Sequence, residues 1–587
     1  MSASDHLPAN GASAVPGPGQ APLPAANAAA LIIRNGTDDA FAGRPAIHFG
    51  DRSWTHSDVL VESRRWAALF ESARPIGGRP PHIGILSDNT PEYLFALSGA
   101  ALCGATIVGL NHTRVGEHLA RDIAHTDVDL VITEPNHLES LSGIDGVRVL
   151  VNHRHDARSS GVGPGDDLDV ALDSVAAWTG GHPVSADERW ALIFTSGTSG
   201  APKAVVCSQR RLLVTGNRMA MMMELGPDDV GYICMPLFHS NALMVGWAPS
   251  IVVGASVGLA RKFSSSGWLR DVRRYGSTWF NYTGKPLSYL VATPELVDDS
   301  DNSVRVAFGN EGSPQVVSEF SRRFAVRVID AFGSTEGAIA VSRDGPARAG
   351  AMGVAGPSIG VVNDDGEMCV PARFDESGRL VNADECVGEI VNTAGAGPFE
   401  GYYNNVDATA SATRRGWYWS GDLGYLDTDR YLYFAGRTAE WIRVNGENFP
   451  AGPILDAIVS HPGVIVGSVY GVPDVHAGDQ AMAAVVLAAD VRFDGAEFAR
   501  WIDSLPGIGP TWRPRYIRVA QELPTTGTNK IVTRTLVHQK FRRDRVGDDE
   551  LWVRERGDDA YRRFTADDER VLEALFIAAG RERFWEL

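Results

Sequence analysis

Thr195-Ser196-Gly197-Thr198-Ser199-Gly200-Ala201-Pro202-Lys203 follows directly on the apolar segment Ala191-Leu192-Ile193-Phe194. Hydroxyls and glycines alternate, and a lysine closes the run. Glycine lets a backbone approach a phosphate closely, and successive free N–H groups form an anion nest. The hydroxyls can donate to phosphate oxygens, and Lys203 adds a positive charge. The GxxxxGK spacing of a Walker loop is absent. A Ser/Gly run can also be a plain polar turn. The strand before it and the lysine after it favour phosphate binding.

Outward from this loop, short apolar strands recur between helical stretches. Ala191–Thr195, Val304–Phe308 and Val326–Ile329 are examples. The alternation predicts an α/β architecture with helices over a mostly parallel sheet. Two uncharged runs, Phe95–Asn111 and Leu243–Ala260, fall at or below the length of a membrane span and are broken by Gly, Ser or Pro. Each is expected to be a buried helix running into a buried strand. Residues 1–28 are rich in Pro, Ala and Gly and read as a disordered tail. Beyond Tyr431 the texture changes. Tyr431–Phe434 reads as a strand ending in a turn at Gly436-Arg437, Ala451–Ser460 as a helix and Val464–Val472 as a strand. Thr565 is expected to cap a helix that ends near Gly580. Residues 541–570 carry both charge signs densely and are expected to form a solvated surface extension.

The 587 residues hold 54 Lys plus Arg against 72 Asp plus Glu, a formal charge of -18. That balance argues against a general nucleic-acid binder and against a polybasic membrane arm. The length suggests two or more domains. The five cysteines are scattered, with no CxxC pair and no zinc spacing, as for reduced thiols in a cytoplasmic protein. No secretory signal is evident. At most, peripheral contact with the inner membrane face is expected.

The loop at 195–203 resembles the phosphate loop of the adenylate-forming (AMP-binding) superfamily, which includes acyl-CoA synthetases. Later segments resemble the family's other signatures in the expected order. These are Tyr232-Ile-Cys-Met-Pro-Leu-Phe-His239, Asp330-Ala331-Phe332-Gly333-Ser-Thr335-Glu336, Gly388-Glu389 with Gly401-Tyr-Tyr-Asn-Asn405, Trp419-Ser-Gly-Asp422 with Gly436-Arg437, and Pro524-Thr-Thr-Gly-Thr-Asn-Lys530. The resemblance implies an α/β fold. A large N-terminal AMP-binding region of packed β-sheets and helices would span 29–436. A small mobile α+β lid would span 437–545, and a charged helical extension 546–587.

The resemblance also implies roles, each beside a plainer reading of the same residue. Thr335 would meet the α-phosphate and Glu336 would hold Mg²⁺ through a hard oxygen, although Thr-Glu alone also starts helices. Phe332 stands where many relatives have tyrosine, so a face for adenine is kept and a hydroxyl lost. Gly309, Glu311, Gly312 and Ser313 would line the adenine pocket; alone they read as a turn. Asp422, in an expected Gly-Asp turn, would accept from the ribose hydroxyls. Arg437 would contact ribose or phosphate, and otherwise reads as a surface ion-pair partner. His239 would stand at the junction of acyl group and adenylate, or be a core histidine. Leu243 and Trp247 suit an apolar acyl pocket, and core packing explains them equally. The hinge, with Ala439 before Glu440, departs from the common pattern. It resembles the fatty-acid transport and very-long-chain branch, as does Asn445-Gly446-Glu447-Asn448, where Gly446 would line the thiol's path. Lys530, otherwise a solvated charge, would bridge carboxylate and phosphate during adenylation.

The function so implied is that of an ATP-dependent acyl-CoA ligase. It would use ATP, Mg²⁺ and coenzyme A on a hydrophobic carboxylic acid, a fatty acid first. A steroid side-chain or aryl acid, transfer to a carrier protein, and a non-catalytic acyl-chain transport protein are the alternatives.

Overall fold

The computed structural model describes residues 23–586 except 156–166, 177, 181–182, 196–202, 345–347, 349, 377–379, 438–440, 445–446, 476–478, 506–507 and 527–529. The expected tail over 1–28 therefore lies mostly outside the described residues, and helix begins at Ala28–Thr37.

Two largely parallel sheets form the body. The six-stranded sheet runs, in spatial order, Arg148–Val151, Leu130–Thr133, His82–Leu86, Thr106–Gly109, Arg189–Thr195 and Lys203–Ser208, with only the last strand antiparallel. The eight-stranded sheet places Ala340–Asp344, Arg327–Gly333, Val306–Asn310, Trp279–Thr283, Val230–Ile233, Ser256–Leu259, Pro45–Phe49 and Arg52–Thr55 side by side, antiparallel only at its two edges. Parallel strands covered on both faces must be apolar throughout rather than alternating, and His82–Leu86, Thr106–Gly109 and Leu130–Thr133 are buried at every position. The α/β expectation holds.

Both uncharged runs resolve as buried helix followed by buried strand. The first gives the helix Pro91–Cys103, buried at every position, then Thr106–Gly109. A Cβ on Gly99 would lie 2.8 Å from Trp66 Cβ, so glycine there lets the helix lie close against its neighbour His56–Ser72. The second gives a π-helical turn Asn241–Trp247, the helix Ala248–Val253 and the strand Ser256–Leu259. Among the described residues no helix is long and apolar enough to cross a membrane. The five cysteines are free thiols.

A five-stranded antiparallel sheet follows, ordered Ala351–Val354, Tyr431–Arg437, Tyr418–Leu426, Gly388–Asn392 and Ile359–Val362. The C-terminal part carries its own mixed five-stranded sheet, from Val464–Pro473 through Asp479–Leu487 and Tyr516–Ala520 to Glu550–Val553 and Arg562–Arg563.

That last sheet corrects the expectation of a solvated extension over 541–570. Phe541, Val546, Leu551, Val553 and Phe564 are buried in one apolar cluster. In Glu550–Val553 the buried Leu551 and Val553 alternate with the half-buried Glu550 and Trp552, so one face packs on the core while the other lies towards charged neighbours. The charges pair with neighbours: Arg518 with Asp549 at 2.6 Å, Arg563 with Glu550 at 2.6 Å and Arg554 with Asp503 at 2.7 Å. The stretch 546–587 is thus not simply a helical extension; strands precede its helices Ala566–Ala578 and Glu582–Glu586. Thr565 caps the first of these as the sequence suggests. Asp568 N donates to Thr565 Oγ1 at 3.3 Å, and Thr565 N donates back to Asp568 Oδ2 at 2.7 Å. Thr565→Ala is expected to destabilise the C-terminal part by about 1 kcal/mol. Hydrogen exchange over 566–578 would show it as faster opening of the first turn.

Candidate active site

Thr195 and Lys203 are cross-strand partners at the end of one hairpin, so the strand order brings both ends of the phosphate loop together. Ser196, Gly197, Thr198, Ser199 and Gly200 lie outside the described residues. The strand Lys203–Ser208 is flanked by the Gly401–Tyr403 segment: Val206 N donates to Gly401 O at 3.0 Å and Tyr403 N to Ala204 O at 2.8 Å. This pairing sets the Tyr402 ring under Lys203, whose Nζ is 5.1 Å from the ring centroid. The Tyr402 hydroxyl donates to Glu336 Oε1 at 2.7 Å. Thr335 and Glu336 are each only 8% exposed. Thr335 Oγ1 is 3.1 Å from Ser240 Oγ, and its carbonyl accepts from the Arg211 guanidinium. Four segments distant in sequence therefore meet, bringing together two cations, three hydroxyls and a carboxylate. Tyr402, Ser240 and Arg211 carry no expectation from sequence. Tyr402 and Ser240 stand in or beside quoted motifs, but their partners are non-local.

The loop after strand Val306–Asn310 is fixed from the neighbouring strand Arg327–Gly333, where Gly309 pairs with Asp330 and Asn310 with Ala331. Asp330 Oδ2 accepts from Gly312 N at 3.0 Å and from Tyr282 Oη at 2.7 Å. Arg343 lies 3.4 Å from Asp330 Oδ1 and donates to Gly312 O at 3.1 Å. Burial pushes the Asp330 carboxyl up to about 6, against the pull of Tyr282 and Arg343. Ser313 uses its hydroxyl to cap the helix Pro314–Phe324, accepting from Val316 N. Phe332 and Phe434 pack with ring centroids 5.8 Å apart.

Asp422 does not sit in a turn, as expected, but inside the strand Tyr418–Leu426, next to Gly421 at φ +74°. Its cross-strand partner is Arg437. The local Gly-Asp signal marks an irregularity within a strand because pairing with a distant segment overrides it. Ala439 and Gly446 lie outside the described residues.

Lys530 reaches this group from the C-terminal part. Its backbone is tied to Thr526: Thr526 N donates to Lys530 O at 2.7 Å and Lys530 N to Thr526 Oγ1 at 3.1 Å. Its Nζ is 2.7 Å from Glu311 Oε1. His239 stands beside this pair, held to about 4 first by burial and then by the Lys530 charge, with Glu311 opposing. Its Nδ1 accepts from Asn241 N at 3.3 Å, which fits a neutral ring. The pH dependence follows with a definite sign. An unfolded histidine gains its proton near 6.5, so His239 costs stability as pH falls from there towards 4 and contributes no change above 6.5. Adenylation should therefore show no limb from His239 between pH 6.5 and 8. A pH–rate limb in that range that disappears in His239→Gln would contradict this.

The Pro236–His239 loop is held by Asn89, which accepts from Leu237 N at 2.8 Å and donates to Met235 O and Ala260 O at 2.9 and 3.1 Å. Leu243 and Trp247 are buried, and Trp247 stacks on Trp190 with centroids 5.6 Å apart. In this conformation packing accounts for both.

The chain is similar to known proteins along most of its length. The family model described as AMP-binding enzyme matches residues 37–403, and that of the AMP-binding enzyme C-terminal domain matches 456–530. The steroid-22-oyl-CoA synthetase of Rhodococcus jostii (strain RHA1) is 43% identical over 545 residues, covering 92% of this chain and 96% of its own. A medium/long-chain-fatty-acid–CoA ligase of Mycobacterium tuberculosis is 44% identical over 475 residues, covering 80% of this chain and 88% of its own. The crystal structure of the anthranilate CoA ligase AuaEII in complex with anthranoyl-AMP superposes with a TM-score of 0.73 at 21% identity, over 86% of this chain and 95% of that one. It shares the fold.

Proposed function

This chain belongs to the family of AMP-binding enzymes, and we propose that it is an ATP-dependent acyl-CoA ligase for a hydrophobic carboxylic acid. In the first half-reaction the acid's carboxylate oxygen attacks the α-phosphorus of ATP, the bond to the β-phosphate oxygen breaks, and acyl-AMP and pyrophosphate form. In the second the thiol of coenzyme A loses its proton and attacks the acyl carbon, and AMP leaves.

The observation that carries this reading is the approach of Lys530 to Glu311 beside His239. A lysine 219 residues further along the chain than Glu311 is delivered to the end of a central strand. Adenylation requires one cation to face two anions at one point. We assign the 195–203 loop with Lys203 to the β and γ phosphates, Thr335 to the α-phosphate, Phe332 with the 309–313 loop to adenine, and Asp422 with Arg437 to the ribose side. Glu336 fits Mg²⁺: it is a nearly buried carboxylate, oriented by Tyr402 at 2.7 Å, and offers the hard oxygen this ion prefers. When bound, Mg²⁺ offsets charge on the phosphates. His239, Leu243 and Trp247 are assigned to the acyl side. The lid, expected over 437–545 but with a sheet that runs on to Arg563, would turn as a whole about Ala439 after adenylation, withdraw Lys530 and open the thiol's path past Gly446.

Thr335, Glu336, Asp422 and Lys530 together weigh against a transport protein without turnover. A steroid side-chain acid is a second reading of the substrate, supported by the nearly end-to-end match to the Rhodococcus enzyme. A panel of fatty, steroid and aryl acids, with coenzyme A present or absent, tests all of these through AMP and pyrophosphate release. Turnover of fatty acids with AMP release dependent on coenzyme A is expected. Pyrophosphate without such dependence would point to a carrier-protein acceptor, and no turnover of any acid would overturn the enzyme.

A further inference from the structure

The carboxylate that meets Lys530 stands on a backbone held from several sides. Glu311 has φ +65°, in the left-handed region that side chains such as Glu seldom occupy. A Cβ on Gly284 would lie 1.8 Å from Glu311 O. Glycine is therefore needed there for the loop to seat against the helix Gly284–Val291. The next residue is fixed at both of its polar atoms, Gly312 N on Asp330 at 3.0 Å and Gly312 O on Arg343 at 3.1 Å. A position where glycine would be unstrained instead carries an acid. Strain kept at a functional site points to a use for the side chain.

Resting on the assignment of Lys530 above, we propose that Glu311 is a positioning residue that stands in for the substrate's carboxylate. In the ligand-free enzyme it holds the Lys530 ammonium at the reaction centre, and it yields that ammonium when the acid arrives. The two groups have the same chemistry, so the exchange swaps one carboxylate for another on one cation and turns the displaced Glu311 carboxylate, 44% exposed, towards water. The pair is weak enough to exchange, since both side chains are 44% exposed and ion pairs of that exposure contribute little. The formal charge of -18 gives the arrangement a purpose. An acidic protein must keep a local cation in place for an anionic substrate rather than lose it to other acids on its surface.

The test measures equilibrium binding without ATP, using dodecanoate and dodecanamide, with a steroid C22 acid and its amide alongside. Glu311→Gln removes the competing charge and should tighten the carboxylate of at least one pair by about two- to fivefold, leaving its amide unchanged. The gain should shrink at high salt and vanish in the Lys530→Ala background. Glu311→Gly, which also relieves the left-handed strain, should give the same tightening without a lower melting temperature. Equal shifts for acid and amide, no shift, or a shift that persists without Lys530 would each overturn the proposal. If Lys530→Ala alone leaves adenylation intact, the lysine's assignment fails instead, which is a separate result.

Discussion

Lys530→Ala should lower pyrophosphate formation by roughly 10²–10³-fold while leaving much of the thioester-forming rate from supplied acyl-AMP. Adenylation presses a negative carboxylate against a negative phosphate, and charge builds further as phosphorus becomes pentavalent. A compact ammonium that touches both offsets this in the transition state more than in the ground state. No base is required, because the carboxylate is already ionised near neutral pH. Lys530 is tied to Thr526 through its backbone and its side chain is half exposed, so its truncation should leave the fold and melting temperature nearly unchanged. In the second half-reaction the charge passes from sulfur to the adenylate leaving group, and the proposed rotation has taken Lys530 away. Equal losses in both halves would overturn this division of labour.

How much of this was legible follows the range of each signal. Strand-anchored motifs could be read locally. Ala191–Phe194 announces the hairpin that joins Thr195 to Lys203, and the runs at 95–111 and 243–260 divide at Gly104 and Gly254, which cap their helices in left-handed conformations. Signals that depend on a distant partner could not be read. Nothing near Tyr402 names Glu336, nothing near Lys530 names Glu311, and Asp422 looks like a turn until Arg437 pairs with it. Glu550–Val553 is only four residues, Glu-Leu-Trp-Val, with no polar alternation to read, so dense charge around it hid a strand. Ser313 is a different case. Ser before Pro is a cap signal, and its hydroxyl is indeed occupied in capping, although the motif suggested a place in the adenine pocket. Net charge names none of the site's residues, because the groups that matter there are a few cations placed by topology.

Glu336→Gln should cut adenylation by about 10²-fold and raise the Mg²⁺ concentration needed for half-maximal rate. The substitution keeps the shape, and the Tyr402 hydroxyl can still donate to the amide oxygen, so orientation survives while the charge is lost. A divalent ion in a nearly buried position loses more from that change than from any displacement of the chain, because a neutral amide oxygen is a far poorer partner for a hard cation than a carboxylate. Tyr402→Phe removes only one hydrogen bond and should cost about fivefold, again seen mainly in the metal requirement. Two readouts separate this role from a structural one. Pyrophosphate exchange titrated with Mg²⁺ should show the defect of Glu336→Gln narrowing as metal rises. Binding of ATP with the metal chelated should be weakened little by either variant. A loss of the same size at every Mg²⁺ concentration, with metal-free ATP binding reduced to match, would mean that Glu336 serves only to hold the Thr335 segment against Tyr402.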